Sequence, residues 1–212
     1  AVADYINANF SVGIRADNIY MTCGAAASLC IILNALLNEG DEVITIAPYF
    51  PEYKVFTEHA RGKLVPIQGS EGTFQPDIAA IKGAITPHTK AVLINSPNNP
   101  SGVVYTEESI KQLCKVLQEC KNNGQTIYLI SDEPYRELVF GGVKVPYIMN
   151  YYADSIVCYS FSKSLSLPGE RIGYIAVNPA MGNAGEVYAA VCGAGRALGY
   201  VCAPSLFQLI IP

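Results

Sequence analysis

Short apolar segments alternate with helical patterns along almost the whole chain, and this alternation limits the fold more than any other feature. The apolar segments lack the apolar–polar repeat of a strand with one solvated face, so we expect both faces of each predicted strand to be covered. Strands that alternate with helices favour a parallel sheet between helical layers. The predicted fold class is therefore α/β, a mostly parallel sheet with helices on both faces. The predicted strands are 18–22, 42–46, 63–67, 91–95, 126–131, 155–159 and 171–177.

Helical patterns fill most of the intervals between these strands. Segment 23–37 is apolar on all sides, which predicts a helix buried between other elements. Segment 77–85 and the chain from Pro179 onward also read as helical. Thr106 is predicted to cap another helix. That helix has one apolar face, formed by Ile110, Leu113, Cys114 and Leu117.

Composition narrows the class of protein. The 212 residues, half of them hydrophobic and 15% charged, suffice for one sizeable domain, and the net charge of -4 argues against a nucleic-acid or membrane-surface partner. There is no apolar run of transmembrane length, and the N-terminal residues lack the pattern of a signal peptide. The seven cysteines form no CxxC pair and no zinc-like spacing, which predicts reduced thiols, a cytoplasmic location and no metal site.

Polar and reactive side chains follow several of the predicted strands at the point where each strand ends. In open α/β sheets, ligands bind at the carboxyl ends of the strands. Helix 23–37 also begins there, and its free backbone N–H groups and positive dipole end suit a phosphate. One edge of the sheet is therefore predicted to present a phosphate cradle, a carboxylate, an amide, a phenol and an amine. The residues are Gly24, Ala25, Asn99, Asp132, Tyr135, Ser160 and Lys163.

Lys163 is the candidate nucleophile in this set. Most lysines are solvated surface residues, and that remains the ordinary explanation for any single lysine. Lys163, however, follows the buried strand 155–159 after a short polar turn, and a second cation, Arg171, lies eight residues further on. Desolvation and a nearby cation both favour a neutral amine, which is the form that attacks a carbonyl group. We therefore expect the end of the strand to hold Lys163 in a desolvated position.

Each of the other residues also has a purely structural explanation. Asp132 fits a turn cap, Asn99 fits a turn before proline, Tyr135 fits a core position and Gly24 fits a tight turn. Taken together with Lys163, however, they match the needs of a pyridoxal phosphate site. Such a site requires a Schiff-base lysine, a carboxylate for the pyridinium nitrogen and a nest for the phosphate.

The same residues fall in motifs that resemble those of the class I/II aminotransferases, which are fold-type I pyridoxal phosphate enzymes. The order and separations of the motifs fit this family along nearly the whole chain. The motifs are Thr22-Cys23-Gly24-Ala25, Asn98-Asn99-Pro100-Ser101-Gly102, Asp132-Glu133-Pro134-Tyr135, Ser160-Phe161-Ser162-Lys163 and Arg171-Ile172-Gly173-Tyr174.

The resemblance implies a catalytic group formed by Lys163, Asp132 and Tyr135. Lys163 is implied as the Schiff-base lysine that also carries a proton between the substrate and the cofactor. Asp132 is implied as the partner of the pyridine nitrogen, which a buried carboxylate keeps protonated. Asn99 and Tyr135 are implied as hydrogen-bond partners of the ring 3′ oxygen.

The resemblance also implies a stacking ring and a phosphate cup. Phe50 is the implied stacking ring, with Tyr49 beside it as the alternative. The peptide bond between Asn99 and Pro100 is expected to be cis. The implied cup consists of the backbone N–H groups of Gly24, Ala25 and Ala26 and the side chains of Ser160 and Arg171.

The function implied by the resemblance is transamination between an amino acid and a 2-oxo acid. Two alternatives stay open: another reaction on the same cofactor, such as β-elimination, and a cofactor-binding module of a regulator without catalysis. The family implies a homodimer and chains about twice this long. We therefore interpret residues 1–212 as the large, cofactor-binding domain, without the N-terminal segment and the C-terminal small domain. We expect these residues alone to turn over amino acids slowly or not at all.

Overall fold

A computed structural model describes residues 1–211, which form one seven-stranded sheet with helices on both faces. The order of strands across the sheet is β1-β7-β6-β5-β4-β2-β3. The predicted α/β fold with a mostly parallel sheet is confirmed. The strands are β1 Ile19–Thr22, β2 Glu42–Ala47, β3 Lys63–Gln68, β4 Thr89–Asn95, β5 Tyr128–Asp132, β6 Ser155–Ser160 and β7 Gly173–Val177.

The central strands are apolar throughout because their two faces enter two separate cores. In β4, Val92 and Ile94 belong to one buried cluster, and Leu93 belongs to the cluster on the other face. Successive side chains of a strand point to opposite faces, so a strand covered on both sides needs apolar residues at every position. Strand β3 lies at the edge of the sheet and is mostly exposed or half-buried.

One edge of the sheet is antiparallel. Strands β3, β2, β4, β5 and β6 are parallel, whereas β7 runs antiparallel to both β6 and β1. A parallel pair needs a crossover connection, usually a helix that traverses the sheet. Between β6 and β7 the chain forms only a four-residue helix and a 3₁₀ turn. The chain therefore turns back beside β6 and keeps Lys163 and Arg171 at the carboxyl end of that strand.

The helices form the two outer layers. Helix α2 is buried on several sides, as predicted, and packs against α7 and against strands β6 and β7. Helix α5 begins after Thr106, whose side chain accepts a hydrogen bond from Ser109 N at 3.1 Å, as expected for an N-cap. The helices are α1 Val2–Phe10, α2 Ala25–Leu36, α3 Glu52–His59, α4 Ile78–Ala84, α5 Glu107–Asn122, α6 Phe161–Ser164, α7 Ala184–Ala197 and α8 Ser205–Ile210.

Several predicted boundaries are corrected. Strand β4 begins at Thr89 and not at Ala91, and β5 spans Tyr128–Asp132 and not 126–131. The last strand begins at Gly173 and not at Arg171, because Arg171 has φ +50°, which no strand residue adopts. The helical region after Pro179 is two helices, α7 and α8, separated by residues 198–204. No helix in residues 1–211 is both long and apolar enough to cross a membrane.

Candidate active site

The carboxyl ends of β4, β5 and β6 meet the N-terminus of α2 around a cleft of about 140 Å³. This is the edge of the sheet at which the sequence analysis placed the polar and reactive residues. Gly24 is not one of the described residues that line the cleft, but it lies against Arg171, which is. The lining residues are Ala25, Ala26, Leu29, Phe50, Asn95, Asn99, Asp132, Pro134, Tyr135, Ser160, Ser162, Lys163 and Arg171.

Asp132 is the buried acid of the cleft. It ends β5 and is 5% exposed. Its Oδ2 accepts a hydrogen bond from Tyr53 Oη at 2.7 Å, and its Oδ1 is buried with no hydrogen-bond partner among the described residues. Burial raises the pKa of Asp132 to about 7, with a smaller contribution from the charge of Glu133, while the bond from Tyr53 acts in the opposite direction. An unpartnered buried carboxylate oxygen is costly, so this atom is suited to a cationic or hydrogen-bonding ligand.

Asn99 and Tyr135 lie together beside Asp132. The side-chain amide of Asn99 donates to Tyr135 Oη at 3.2 Å. Burial raises the pKa of the Tyr135 phenol, the charge of Asp132 adds to this rise, and the Asn99 bond opposes it. The peptide bond before Pro100 is cis, as expected. The amide and the phenol therefore present a pair of hydrogen-bonding groups to one ligand atom.

A buried ion pair fixes the segment that carries Tyr135. Arg136 Nε donates to Glu133 Oε2 at 2.5 Å, and the guanidinium also donates to the carbonyl oxygens of Val145 and Pro146. Breaking such a buried pair leaves an uncompensated charge, which is strongly destabilising. The pair thus holds the turn after β5 in one arrangement.

The backbone N–H groups at the N-terminus of α2 are accessible because the residue before the helix, Gly24, has no side chain. Gly24 has φ +93°, and a Cβ atom there would lie 2.8 Å from Arg171 Nη2 and 3.5 Å from Ser160 Oγ. No side chain caps α2, so its first backbone N–H groups, which lack intrahelical partners, remain available at the cleft. A Cβ on Gly173 would lie 2.9 Å from Gly24 Cα. The two glycines thus allow the segment that precedes α2 to approach β7 closely.

Arg171 and Ser160 complete this end of the cleft. Arg171 Nη1 donates to Pro168 O at 2.7 Å and its Nη2 to Cys23 O at 3.1 Å, which holds the guanidinium beside the start of α2. Ser160 ends β6 and caps α6 through a bond from Ser162 N at 3.2 Å. A helix N-terminus, a guanidinium and a hydroxyl together form a site for an anion such as phosphate.

Lys163 lines the same cleft from α6. Its position at the end of β6 agrees with the prediction, but its side chain is exposed in residues 1–211. The expected desolvation is therefore not provided by these residues. Lys163 lies in the short α6, which follows β6, and not in the sheet itself.

Phe50 lines the cleft, whereas Tyr49 is not among the lining residues. Phe50 packs edge-on against Tyr53, with ring centroids 5.7 Å apart. Of the two aromatic residues considered for stacking, Phe50 is the one whose ring borders the cleft.

Sequence analysis missed three residues of this region: Tyr53, Asn95 and Ser162. Asn95 carried a usable signal, because it is a polar residue at the end of an otherwise apolar strand, as Asp132 is. Its amide donates to Asp132 O at 2.8 Å and its Oδ1 accepts from Asn99 N at 2.6 Å. Tyr53 carried no such signal, since an aromatic residue in a short helix reads as core.

The residues fit pyridoxal phosphate on two observations. The buried Oδ1 of Asp132 has no hydrogen-bond partner within residues 1–211, which suits a protonated ring nitrogen. Gly24, Arg171 and Ser160 lie together at the start of α2, which brings backbone, guanidinium and hydroxyl donors to one place and suits a phosphate. The two features lie at different ends of one cleft, with Lys163 on its lining.

Comparison with known proteins gives the family. A profile described as "Aminotransferase class I and II" matches residues 1–204. A probable aspartate aminotransferase of Methanocaldococcus jannaschii is 34% identical over 178 residues, which is 84% of this chain and 45% of the relative.

Two solved structures show the same fold. An aminotransferase from Eubacterium rectale is 56% identical with a TM-score of 0.95, covering 98% of this chain and 52% of the other. An alanine aminotransferase from Pyrococcus furiosus is 28% identical with a TM-score of 0.88, covering 99% and 52%. The chain thus spans about half the length of these relatives, and it belongs to the family of class I and II aminotransferases.

Proposed function

We propose that this chain binds pyridoxal 5′-phosphate in the cleft and that the protein catalyses transamination between an amino acid and a 2-oxo acid. The observation that carries the proposal is the meeting, in one cleft, of Lys163, the Asp132 Oδ1 that has no partner among residues 1–211, and the anion site beside Arg171. Pyridoxal phosphate, when bound, supplies an aldehyde that links to amino groups and a ring that withdraws electrons from the substrate α-carbon.

Asp132 would hold the ring nitrogen in its protonated form. A carboxyl group whose pKa lies near 7 is only partly ionised at neutral pH. An adjacent cation favours the ionised form, so the nitrogen and the carboxylate would stabilise each other's charges. Tyr135 and Asn99 would orient the ring through its 3′ oxygen, and Phe50 would pack on its face.

Lys163 would act at its Nζ atom. Its neutral amine would bind the aldehyde of the cofactor. When free, the same amine would accept the proton from the substrate α-carbon and pass it to the cofactor, and it would move a proton in the reverse direction in the second half of the reaction. The backbone N–H groups of Gly24, Ala25 and Ala26, with Ser160 and Arg171, would anchor the phosphate.

The wider proposals follow the family. We propose that residues 1–212 correspond to the large, cofactor-binding domain and that the protein is a cytoplasmic homodimer. The seven cysteines are free, which supports a reducing compartment. Relatives are named for aspartate and for alanine, so the proposed substrates are the class of amino acids and 2-oxo acids. The relatives reported above are all named aminotransferases, which favours transamination over β-elimination or a regulatory module.

The test is borohydride reduction of the protein mixed with pyridoxal phosphate, followed by peptide mass mapping. We expect a visible absorbance band before reduction and the cofactor mass fixed on Lys163 afterwards. Lys163→Ala should lose both signals, while Lys111→Ala, which removes an exposed lysine on α5, should keep both. Label spread over many lysines, with no dependence on Lys163, would contradict the proposal.

A further inference from the structure

Tyr53 makes the one side-chain hydrogen bond to the Asp132 carboxylate among residues 1–211. Tyr53 lies in α3 and is 1% exposed, and its Oη is 2.7 Å from Asp132 Oδ2. Burial and the neighbouring Asp132 charge raise the pKa of the Tyr53 phenol well above its usual range. The proton therefore stays on the phenol, which makes Tyr53 the donor and the carboxylate the acceptor.

This bond determines which oxygen of Asp132 is left over. Oδ2 is occupied by Tyr53, and Oδ1 is the oxygen without a partner. The backbone of Asp132 is fixed separately, because its carbonyl oxygen accepts from the Asn95 amide. A carboxylate held at its backbone and at one oxygen has little freedom to rotate, so the direction of Oδ1 is set before any ligand arrives.

Tyr53 also contacts the ring that borders the cleft. Phe50 packs edge-on against Tyr53 within the same turn of chain. One tyrosine therefore contacts both the acid and the aromatic residue that the proposed function assigns to the edge and the face of the cofactor ring.

We propose that Tyr53 is a positioning residue for Asp132, which holds Oδ2 so that Oδ1 is free for the cationic nitrogen of the cofactor and favours the ionised carboxylate. This inference rests on the proposed function for the identity of the ligand. A purely structural role for the hydroxyl is the competing explanation, since buried tyrosine hydroxyls usually find a partner. Tyr147 offers a contrast, because its hydroxyl is buried with no partner among the described residues.

The experiment compares Tyr53→Phe with Tyr147→Phe. Each change removes one buried phenolic oxygen and keeps the ring. The first readout is the pKa of the Asp132 carboxyl in the cofactor-free protein, followed by ¹³C NMR of labelled aspartate and assigned with Asp132→Asn. A hydrogen bond to a charged group is worth enough to predict a further rise of about one to two pH units in Tyr53→Phe. Tyr147→Phe should leave this pKa unchanged.

The second readout is the affinity for pyridoxal phosphate. We expect about tenfold weaker binding in Tyr53→Phe and no change in Tyr147→Phe, and the tenfold effect should disappear when Asp132 is already asparagine. A loss of affinity that persists in the Asp132→Asn background would overturn the positioning role in favour of a structural one. An unchanged carboxyl pKa in Tyr53→Phe would overturn it as well.

Failure of the proposed function gives a different result. In that case the unmodified protein forms no borohydride-stable link at Lys163, whatever the carboxyl pKa does in the variants. That outcome also overturns the cofactor-positioning role of Tyr53, and the NMR shift then reports only the hydrogen bond.

Discussion

The two ends of the cleft are built in opposite ways. At the Asp132 end, a carboxylate is buried at the end of a central strand and held by Tyr53 and Asn95, which come from other parts of the chain. At the Arg171 end, the groups are backbone N–H, a hydroxyl and an exposed guanidinium, and the guanidinium is held by the carbonyl oxygens of Cys23 and Pro168. The buried end suits an ion pair, because the attraction between opposite charges is stronger in a low dielectric, whereas the open end suits a doubly charged anion that needs many donors.

The largest expected effect is on the pH dependence of stability, and it comes from Asp132 at the buried end of the cleft. Because the pKa of Asp132 is about 7 in the folded chain and 3.8 for an ordinary aspartate, the folded state holds a proton that the unfolded state releases between about pH 4 and pH 7. The stability of the cofactor-free protein therefore falls as pH rises through this window, by on the order of 4 kcal/mol from this group. Asp132→Asn should remove that part of the pH dependence.

Denaturant unfolding of the parent and the variant, at pH 5 and pH 8, measures the effect. The variant should gain stability relative to the parent on going to pH 8. An asparagine amide left without an acceptor lowers the stability of the variant equally at both pH values and leaves this gain unchanged. Parallel stability curves for the two proteins would contradict the raised pKa. With cofactor bound, Asp132→Asn should retain binding but lose most transamination activity.

The next largest effect is expected from Gly24→Ala, which changes the open end of the cleft beside Arg171. Gly24→Ala forces an L-residue into φ +93° and places its Cβ against the Arg171 guanidinium, which should cost about 1–3 kcal/mol of unfolding free energy and weaken binding of pyridoxal phosphate. Gly40→Ala is the matched control, since Gly40 has φ +85° but no atom within 4 Å of the added Cβ. Both variants should lose stability in thermal melts, and only Gly24→Ala should lose affinity. Equal affinities would show that the α2 loop does not contribute to the anion site.

The smallest effect is expected from Ser160→Ala, which also changes the open end of the cleft. Ser160→Ala removes the cap of α6 and should cost about 1 kcal/mol of stability together with some affinity for pyridoxal phosphate. Thr106→Ala removes the cap of α5, away from the cleft, and should cost a similar stability without loss of affinity. Calorimetric titration with pyridoxal phosphate measures the affinity of each variant and so distinguishes Ser160→Ala from Thr106→Ala. If both variants bind alike, Ser160 serves only as a helix cap.

Apolar runs, turn residues and motif spacing determined the strands, the buried helix and the edge of the sheet where the cleft lies. They do so because burial on two faces demands continuous apolar strands, and because parallel strands bring their carboxyl ends to one edge. Asp132, Asn99, Ser160 and Lys163 could therefore be placed together from the sequence. The antiparallel turn from β6 to β7 could not, since it depends on how a short connection packs.

Only the tertiary structure decided the surroundings of each group. The hydrogen bond from Tyr53 joins residues 79 positions apart, and no periodicity or propensity signals such a pair. The exposure of Lys163 and the left-handed backbone of Arg171 are likewise set by the turn between β6 and β7. The sequence placed the chemical groups at one edge, and packing determined which oxygen of Asp132 is left free and which backbone donors face the cleft.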